Sequence, residues 1–337
     1  MKNRIVIFVV FVCCLWTMPG IVRAQLSVHQ FDQLMKKIDD VLWYEKVGDI
    51  AHVDKVILCG PPRWKEFNPT SMSAGNELKF RAYIFIPKSV KENKKYPLIV
   101  FPHSGVHADM DTYYAHIIRE LIAQEYIVVA ADYRGSTGYG SGTYNNIDYG
   151  GLENEDVYIS RNYMVDNFDI VDGNRVGIMG WSHGGMITLM NLFNYPGQYK
   201  CGFAGVPVSD VIMRMGYASD SYRKIFSAKN HIGQTAKDNI AEYKRRSPVW
   251  HAEKLKDPLL IYTNTSDDDV NVIAGYFVDV PDIDVARIDI SKNDIPGIEM
   301  KSYPMFVMYP AGETKRMGKT LEKRADLGVG DGRGIES

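Results

Sequence analysis

Histidine is missing from the end of this chain: none follows His251, although the sequence runs to 337 residues and holds 8 histidines. Cysteine is scarce, with 4 in all, and Cys13 and Cys14 sit together in an N-terminal apolar run. That leaves Cys59 and Cys201, far apart in sequence, either as buried free thiols or, in an oxidising compartment, as one disulfide. No Cys/His cluster has metal-ligand spacing, so no structural zinc is expected. Neither sign of charge is in excess: 39 Lys and Arg against 41 Asp and Glu leave a formal charge of −2. Nothing there points to nucleic acid, and no acidic run suggests a solvated tail. Internal repeats and low-complexity tracts are absent as well. Composition is otherwise ordinary for a globular protein and leaves enzyme, binding module and structural protein open.

What is present at the N-terminus is specific. Lys2 and Arg4 precede an apolar run from Ile5 to Trp16 that is too short for a full membrane span. Val22-Arg23-Ala24 then places small or aliphatic residues where signal peptidase reads them. Residues 1–24 are therefore expected to be a secretory signal, cleaved after Ala24, with export to a periplasm or to the outside. A short membrane anchor is the alternative. A lipoprotein signal fits poorly, because no small residue precedes Cys13 or Cys14. No other stretch is apolar for long enough to cross a bilayer.

Beyond the signal, residues 25–94 read as an extension of one helix and two strands. Phe31, Leu34, Met35, Ile38, Val41 and Leu42 recur at helical spacing and predict an amphipathic helix over 28–46. Strands are predicted at 53–58 and 79–86, the second partly alternating as a half-buried strand would. From residue 95 the pattern changes. Short continuous apolar runs at 96–101, 126–131, 175–180, 204–208 and 258–263 predict strands buried on both faces. Helical stretches near 111–124, 153–167 and 185–195 alternate with them. That order predicts an α/β fold, a mostly parallel sheet with helices on both faces. Residues 209–256 form a polar, mostly helical insertion. Its Met213, Met215, Tyr217 and Tyr222 either pack the segment down or reach a substrate.

Gly180-Trp181-Ser182-His183-Gly184 fits the G-x-S-x-G nucleophile elbow, and it lies between a buried strand and a helix as that motif requires. The turn forces the serine into a strained backbone conformation, and glycines two before and two after remove side chains that would collide. Ser182 then projects at a helix N-terminus, where free N–H groups and the helix dipole favour developing negative charge. A serine hydroxyl also needs a base, oriented by a carboxylate. On this fold the order along the chain is Ser, acid, His. Thr265-Ser266-Asp267-Asp268-Asp269-Val270 follows the 258–263 strand, where the acid belongs. Pro102-His103-Ser104-Gly105-Val106-His107 follows the 96–101 strand, where an oxyanion donor belongs.

These pieces resemble the prolyl oligopeptidase family of serine peptidases, which have an α/β-hydrolase catalytic domain. Gly180 to Gly185 resembles its nucleophile motif, and Asp132-Tyr133-Arg134-Gly135-Ser136-Thr137-Gly138-Tyr139-Gly140 its motif after the preceding strand. The 103–107 loop is similar to its His-Gly-Gly-Pro-His oxyanion loop, with Ser104 and Val106 as departures. The family's acid lies three residues before a valine, which selects Asp267 over Asp268 and Asp269. The likeness covers residues 95–272, including the 209–256 insertion. It implies Ser182 as nucleophile, Asp267 as orienting acid, and an oxyanion hole from the His183 N–H and the Gly105 neighbourhood. It implies hydrolysis of a peptide or small ester through an acyl-enzyme, with no cofactor and no metal. Many relatives carry a β-propeller, for which residues 25–94 are too few. Nothing in the sequence sets an oligomeric state.

The family pattern also implies a histidine after the acid, usually beside a glycine, and residues 273–337 contain none. Three readings stay open. The C-terminus is altered by a frameshift or gene-model error; or the chain is a dead α/β-hydrolase that binds rather than cleaves; or another histidine, such as His103 or His107, serves as base. Losing the base of a comparable triad costs on the order of a millionfold in turnover. A carboxylesterase is the alternative within the enzymes.

Overall fold

The short apolar runs become the centre of one seven-stranded sheet. The structure is a computed structural model and describes residues 27–61, 78–217, 220–229 and 231–263, with the pairs 307–308 and 319–320. The chain begins with α1 (Val28–Val47), β1 (Ala51–Gly60), β2 (Leu78–Pro87) and β3 (Tyr96–Val100). A 3-10 turn (Thr112–Tyr114) leads into α2 (Ala115–Ala123), β4 (Ile127–Asp132), a short α3 (Ser141–Tyr144) and α4 (Glu153–Asn167). Then come β5 (Val171–Trp181), α5 (His183–Asn194) and β6 (Cys201–Gly205). The insertion holds α6 (Val211–Tyr217), α7 (Asp220–Ser227), α8 (Ile240–Arg245) and a 3-10 stretch (Pro248–Lys254) before β7 (Leu259–Tyr262).

The strand order is β1-β2-β4-β3-β5-β6-β7. β2 runs antiparallel to both β1 and β4, and the pairs from β4 to β7 are parallel. This is the expected α/β-hydrolase arrangement. The expected boundary at 94/95 falls between strands of one sheet, since β1 and β2 continue it. Along β4, Ile127, Val129 and Ala131 face a core shared with Val157 and Met164 of α4 and Ile187, Leu189 and Leu192 of α5. Val128 and Ala130 face the opposite core, with Trp43 and Val47 of α1 and Ile118 and Ile122 of α2. Apolar burial on both faces is why these strands read as continuous runs.

Two expectations change. β2 was expected to be half-buried. Instead Phe80, Ala82 and Ile84 fill one core while Tyr83 and Phe85 fill the other. More unexpectedly, the apolar stripe of α1 faces outward: Phe31, Leu34, Met35, Ile38 and Val41 are 45–69% exposed. The inward side carries Lys36, Trp43 and Val47. Trp43 packs its ring on Tyr83 and Phe85, at centroid distances of 5.8 and 4.9 Å. Lys36 meets two carboxylates, Asp109 after β3 and the buried Asp132 at the end of β4, an ionic attachment that hydrophobic periodicity does not register.

The cysteine question is decided by strand order. Cys59 lies in β1 and Cys201 in β6, both exposed. With strands about 4.8 Å apart, these two are separated by far more than the roughly 7 Å a disulfide tolerates between Cα atoms.

Candidate active site

The site is built where the parallel strands end. Register pairs Trp181 of β5 with Gly205 of β6, and Gly205 with Tyr262 of β7, so the three strands finish level. Ser182 follows β5 as the cap of α5, with φ 54° and ψ −117°. A non-glycine residue in that region is strained, by about 1–3 kcal/mol. The strain is held in place by backbone bonds. Ser182 N–H donates to the Gly205 carbonyl at 2.8 Å, and the Ser182 carbonyl accepts from Met186 N–H at 3.0 Å. Val206, directly after β6, also has a positive φ, 39°, while its N–H donates to the Tyr262 carbonyl.

The elbow glycines show why the motif has its spacing. A Cβ on Gly180 would fall 2.5 Å from the Gly184 carbonyl oxygen, and one on Gly184 would fall 2.4 Å from the Pro102 carbonyl oxygen. The structure therefore brings the start of the 102–107 loop directly against the elbow. Gly105 sits in that loop with φ +80°. Tyr133, the residue after β4, anchors it: its hydroxyl donates to the Gly105 carbonyl at 2.7 Å and lies 3.1 Å from that of His103. A trans peptide opposes its C=O and N–H, so the Val106 N–H is aimed away from Tyr133. Ser104, a departure from the family loop, is also engaged. Its N–H donates to the Tyr114 hydroxyl at 3.1 Å, and its Oγ lies 2.8 Å from the same atom.

The histidines that could stand in for a base are committed elsewhere. His103 is fully buried, with Nε2 at 2.9 Å from Ser136 Oγ and Nδ1 at 3.0 Å from the Ser104 carbonyl. Burial pushes its imidazole below the ordinary value, outweighing the upward pull of Asp132. His107 places Nδ1 2.8 Å from the Gly135 carbonyl and stacks on Tyr144 at 3.6 Å; burial lowers it too. The His183 ring turns inward beneath the elbow, packed on Tyr149 at 4.8 Å, with Nε2 3.2 Å from Glu153 Oε1. That approach is close enough for an ion pair, but the groups are not aligned as a hydrogen bond. The His183 backbone N–H, in the first turn of α5, has no partner within the helix. Asp267 lies outside the described residues. The described stretch that carries β7 ends at Thr263.

Sequence reasoning missed Lys36, Asp109 and Tyr114, and it held Tyr133 and Ser136 only as members of the 132–140 motif, without a role. The insertion packs as a small core of Val208, Val211, Phe226, Ile232 and Tyr243 against Tyr149 and Met186, with Met215 alongside. Among the described residues no group of acidic, His or Cys side chains is placed to hold a metal ion, and no helix is long and apolar enough to cross a membrane.

Comparison with known proteins identifies this arrangement. Residues 112–276 match the family model described as the prolyl oligopeptidase family. This stretch, just under half of the chain, is similar to the prolyl oligopeptidase family. The resemblance is to serine-type peptidases and hydrolases. The matched stretch contains Ser182 and Asp267 and begins after the 103–107 loop. The acylamino-acid-releasing enzyme 1 of Oryza sativa subsp. japonica is 26% identical over 214 residues, covering 60% of this chain and 27% of that protein. Dipeptidyl peptidase 4 of Felis catus is 31% identical over 203 residues, covering 58% of this chain and 25% of its own. The chain thus spans about a quarter of the length of these relatives. A puromycin-hydrolyzing peptidase of Mycobacterium tuberculosis shares the fold, with a TM-score of 0.58 and 22% identity, over 70% of this chain and 35% of that one.

Proposed function

We propose that this is an exported serine peptidase domain whose nucleophile is Ser182. The observation that carries the reading is the strained elbow: a serine at φ 54° between a buried strand and a buried helix, with a separate loop packed onto its glycines. Strain of this kind persists where surrounding structure over-determines it, and it clusters at reactive centres. In the reaction, Ser182 Oγ bonds to the scissile carbonyl carbon and gives up its proton, and the leaving amine or alcohol departs with a proton as its own bond to that carbon breaks. The His183 N–H and the amides near Gly105 receive the oxyanion, and water then releases the acyl group. Asp267 is the proposed orienting acid; the chain from β7 leaves the same edge of the sheet as Ser182. The N-terminal basic start, apolar run and Val22-Arg23-Ala24 support export. Peptides are the favoured substrates, with small esters as the alternative.

One observation favours a second reading, a binding protein that keeps the pocket without turnover. No histidine follows His251, and both ring nitrogens of His103 are engaged in the loop interior. A fluorophosphonate probe separates the two. Labelling of the wild type that is abolished in Ser182→Ala supports the peptidase reading. An unlabelled, folded wild type rejects it for this chain and leaves the binding reading. Peptide and ester panels then divide peptidase from esterase.

A further inference from the structure

The strongest unassigned feature is a lysine buried where lysine is seldom found. We propose that Lys36, from α1, is a positioning residue that holds the loop after β3 in the form that receives the oxyanion; this rests on the reading of Ser182 as nucleophile. Lys36 is 3% exposed. Its ammonium lies 2.6 Å from Asp109 Oδ2 and 3.0 Å from Asp132 Oδ2, and it donates to the Met110 carbonyl at 2.7 Å. An ammonium has three protons, and each has an acceptor here. Burial works against the charge, but the two carboxylates outweigh it and raise Lys36 above its ordinary value.

The partners belong to the loop after β3, which packs on the elbow, and to the end of β4 beside it. Asp109 and Met110 continue the 103–107 loop. Asp132 ends β4; its Oδ1 accepts the Met110 N–H at 2.6 Å and lies 4.0 Å from His103 Nε2. Asp109 in turn accepts from Thr137 Oγ1 at 2.8 Å, while Thr137 N–H donates to the Ala108 carbonyl at 2.9 Å. The Lys36 stem also fills the space beside Gly138, where a Cβ would meet Lys36 Cβ at 2.7 Å. One side chain from outside the family-matched stretch therefore fastens both loops to the sheet edge. Without it, the buried Asp132 and the part-exposed Asp109 would lose the ammonium between them, which is destabilising locally.

The test compares wild type, Lys36→Met, Lys36→Arg and Asp109→Asn by hydrogen-exchange mass spectrometry and by fluorophosphonate labelling. Expected for Lys36→Met is at least about tenfold faster exchange confined to 103–111 and 133–140, with 176–190 unchanged. Labelling should slow by a similar factor in its maximal rate, with little change in probe affinity. Lys36→Arg should restore part of both, and Asp109→Asn should show the same regional pattern more weakly. Wild-type exchange at 103–111 in Lys36→Met overturns the proposal. So does uniform loss of protection in Lys36→Met together with unchanged exchange in Asp109→Asn, which makes Lys36 a purely structural residue. An unlabelled wild type rejects the Ser182 reading, and the exchange data then decide the loop-holding role by themselves.

Discussion

Gly184 lies against Pro102: a side chain at Gly184 would meet the Pro102 carbonyl oxygen at 2.4 Å and that of His103 at 2.7 Å. Backbone atoms cannot move aside as a side-chain tip can. Gly184→Ala should therefore push the 102–107 loop off the elbow, at about 1–3 kcal/mol for an overpacked site. Urea denaturation should show that loss, and fluorophosphonate labelling should fall at temperatures where the variant is still folded. Unchanged stability and labelling would mean that the loop does not sit on the elbow.

Ser182 carries strain that function, not stability, requires. Ser182→Gly should relieve it and stabilise the domain by about 1 kcal/mol or more, because glycine accepts positive φ without a Cβ penalty. Ser182→Ala keeps the Cβ and should be nearly neutral. Both should be unreactive to the probe. A Ser182→Gly variant less stable than Ser182→Ala in the same denaturation series would argue against a strained elbow.

The outward stripe of α1 makes a prediction that periodicity alone would reverse. Phe31→Ser and Ile38→Ser should change stability by no more than about 0.5 kcal/mol, as exposed positions usually do. Trp43→Ala, at a residue with 0% exposure, should cost about 3–5 kcal/mol. Equal, large losses at all three would place the stripe against another surface.

Acid should weaken the fold through His103. Its folded value is lowered by burial, so the unfolded chain takes up the proton first as pH falls. The sign follows: stability is complete above the unfolded value near about 6.5 and declines below it, by at most about 1.4 kcal/mol per pH unit for one group. Urea midpoints at pH 7.5 and 5.5 measure the slope. His103→Gln should flatten it in part, with a residue from His107, which shifts in the same direction. An unaltered slope in His103→Gln would remove His103 from the account.

Local pattern and tertiary contact contributed different things. The sequence by itself determined the order of strands and helices from β3 onward, the place of the elbow, and the family resemblance. These follow from short-range rules: apolar runs for strands buried on both faces, 3.6-residue spacing for helices, and glycines around a sharp turn. It determined equally that no histidine follows Asp267. Other features were illegible because their cause lies in partners distant along the chain. The 3.6-residue rule found α1 but turned it the wrong way, since Trp43 finds Tyr83 and Phe85 in β2 and Lys36 finds Asp109 and Asp132 only after the sheet forms. Strand order alone separated Cys59 from Cys201, and packing alone sealed His103 against Ser136. Periodicity records which residues avoid water; it carries no record of a buried charge whose counter-charges arrive from other loops. Only the tertiary structure could decide that Lys36 lies inside and Phe31 outside.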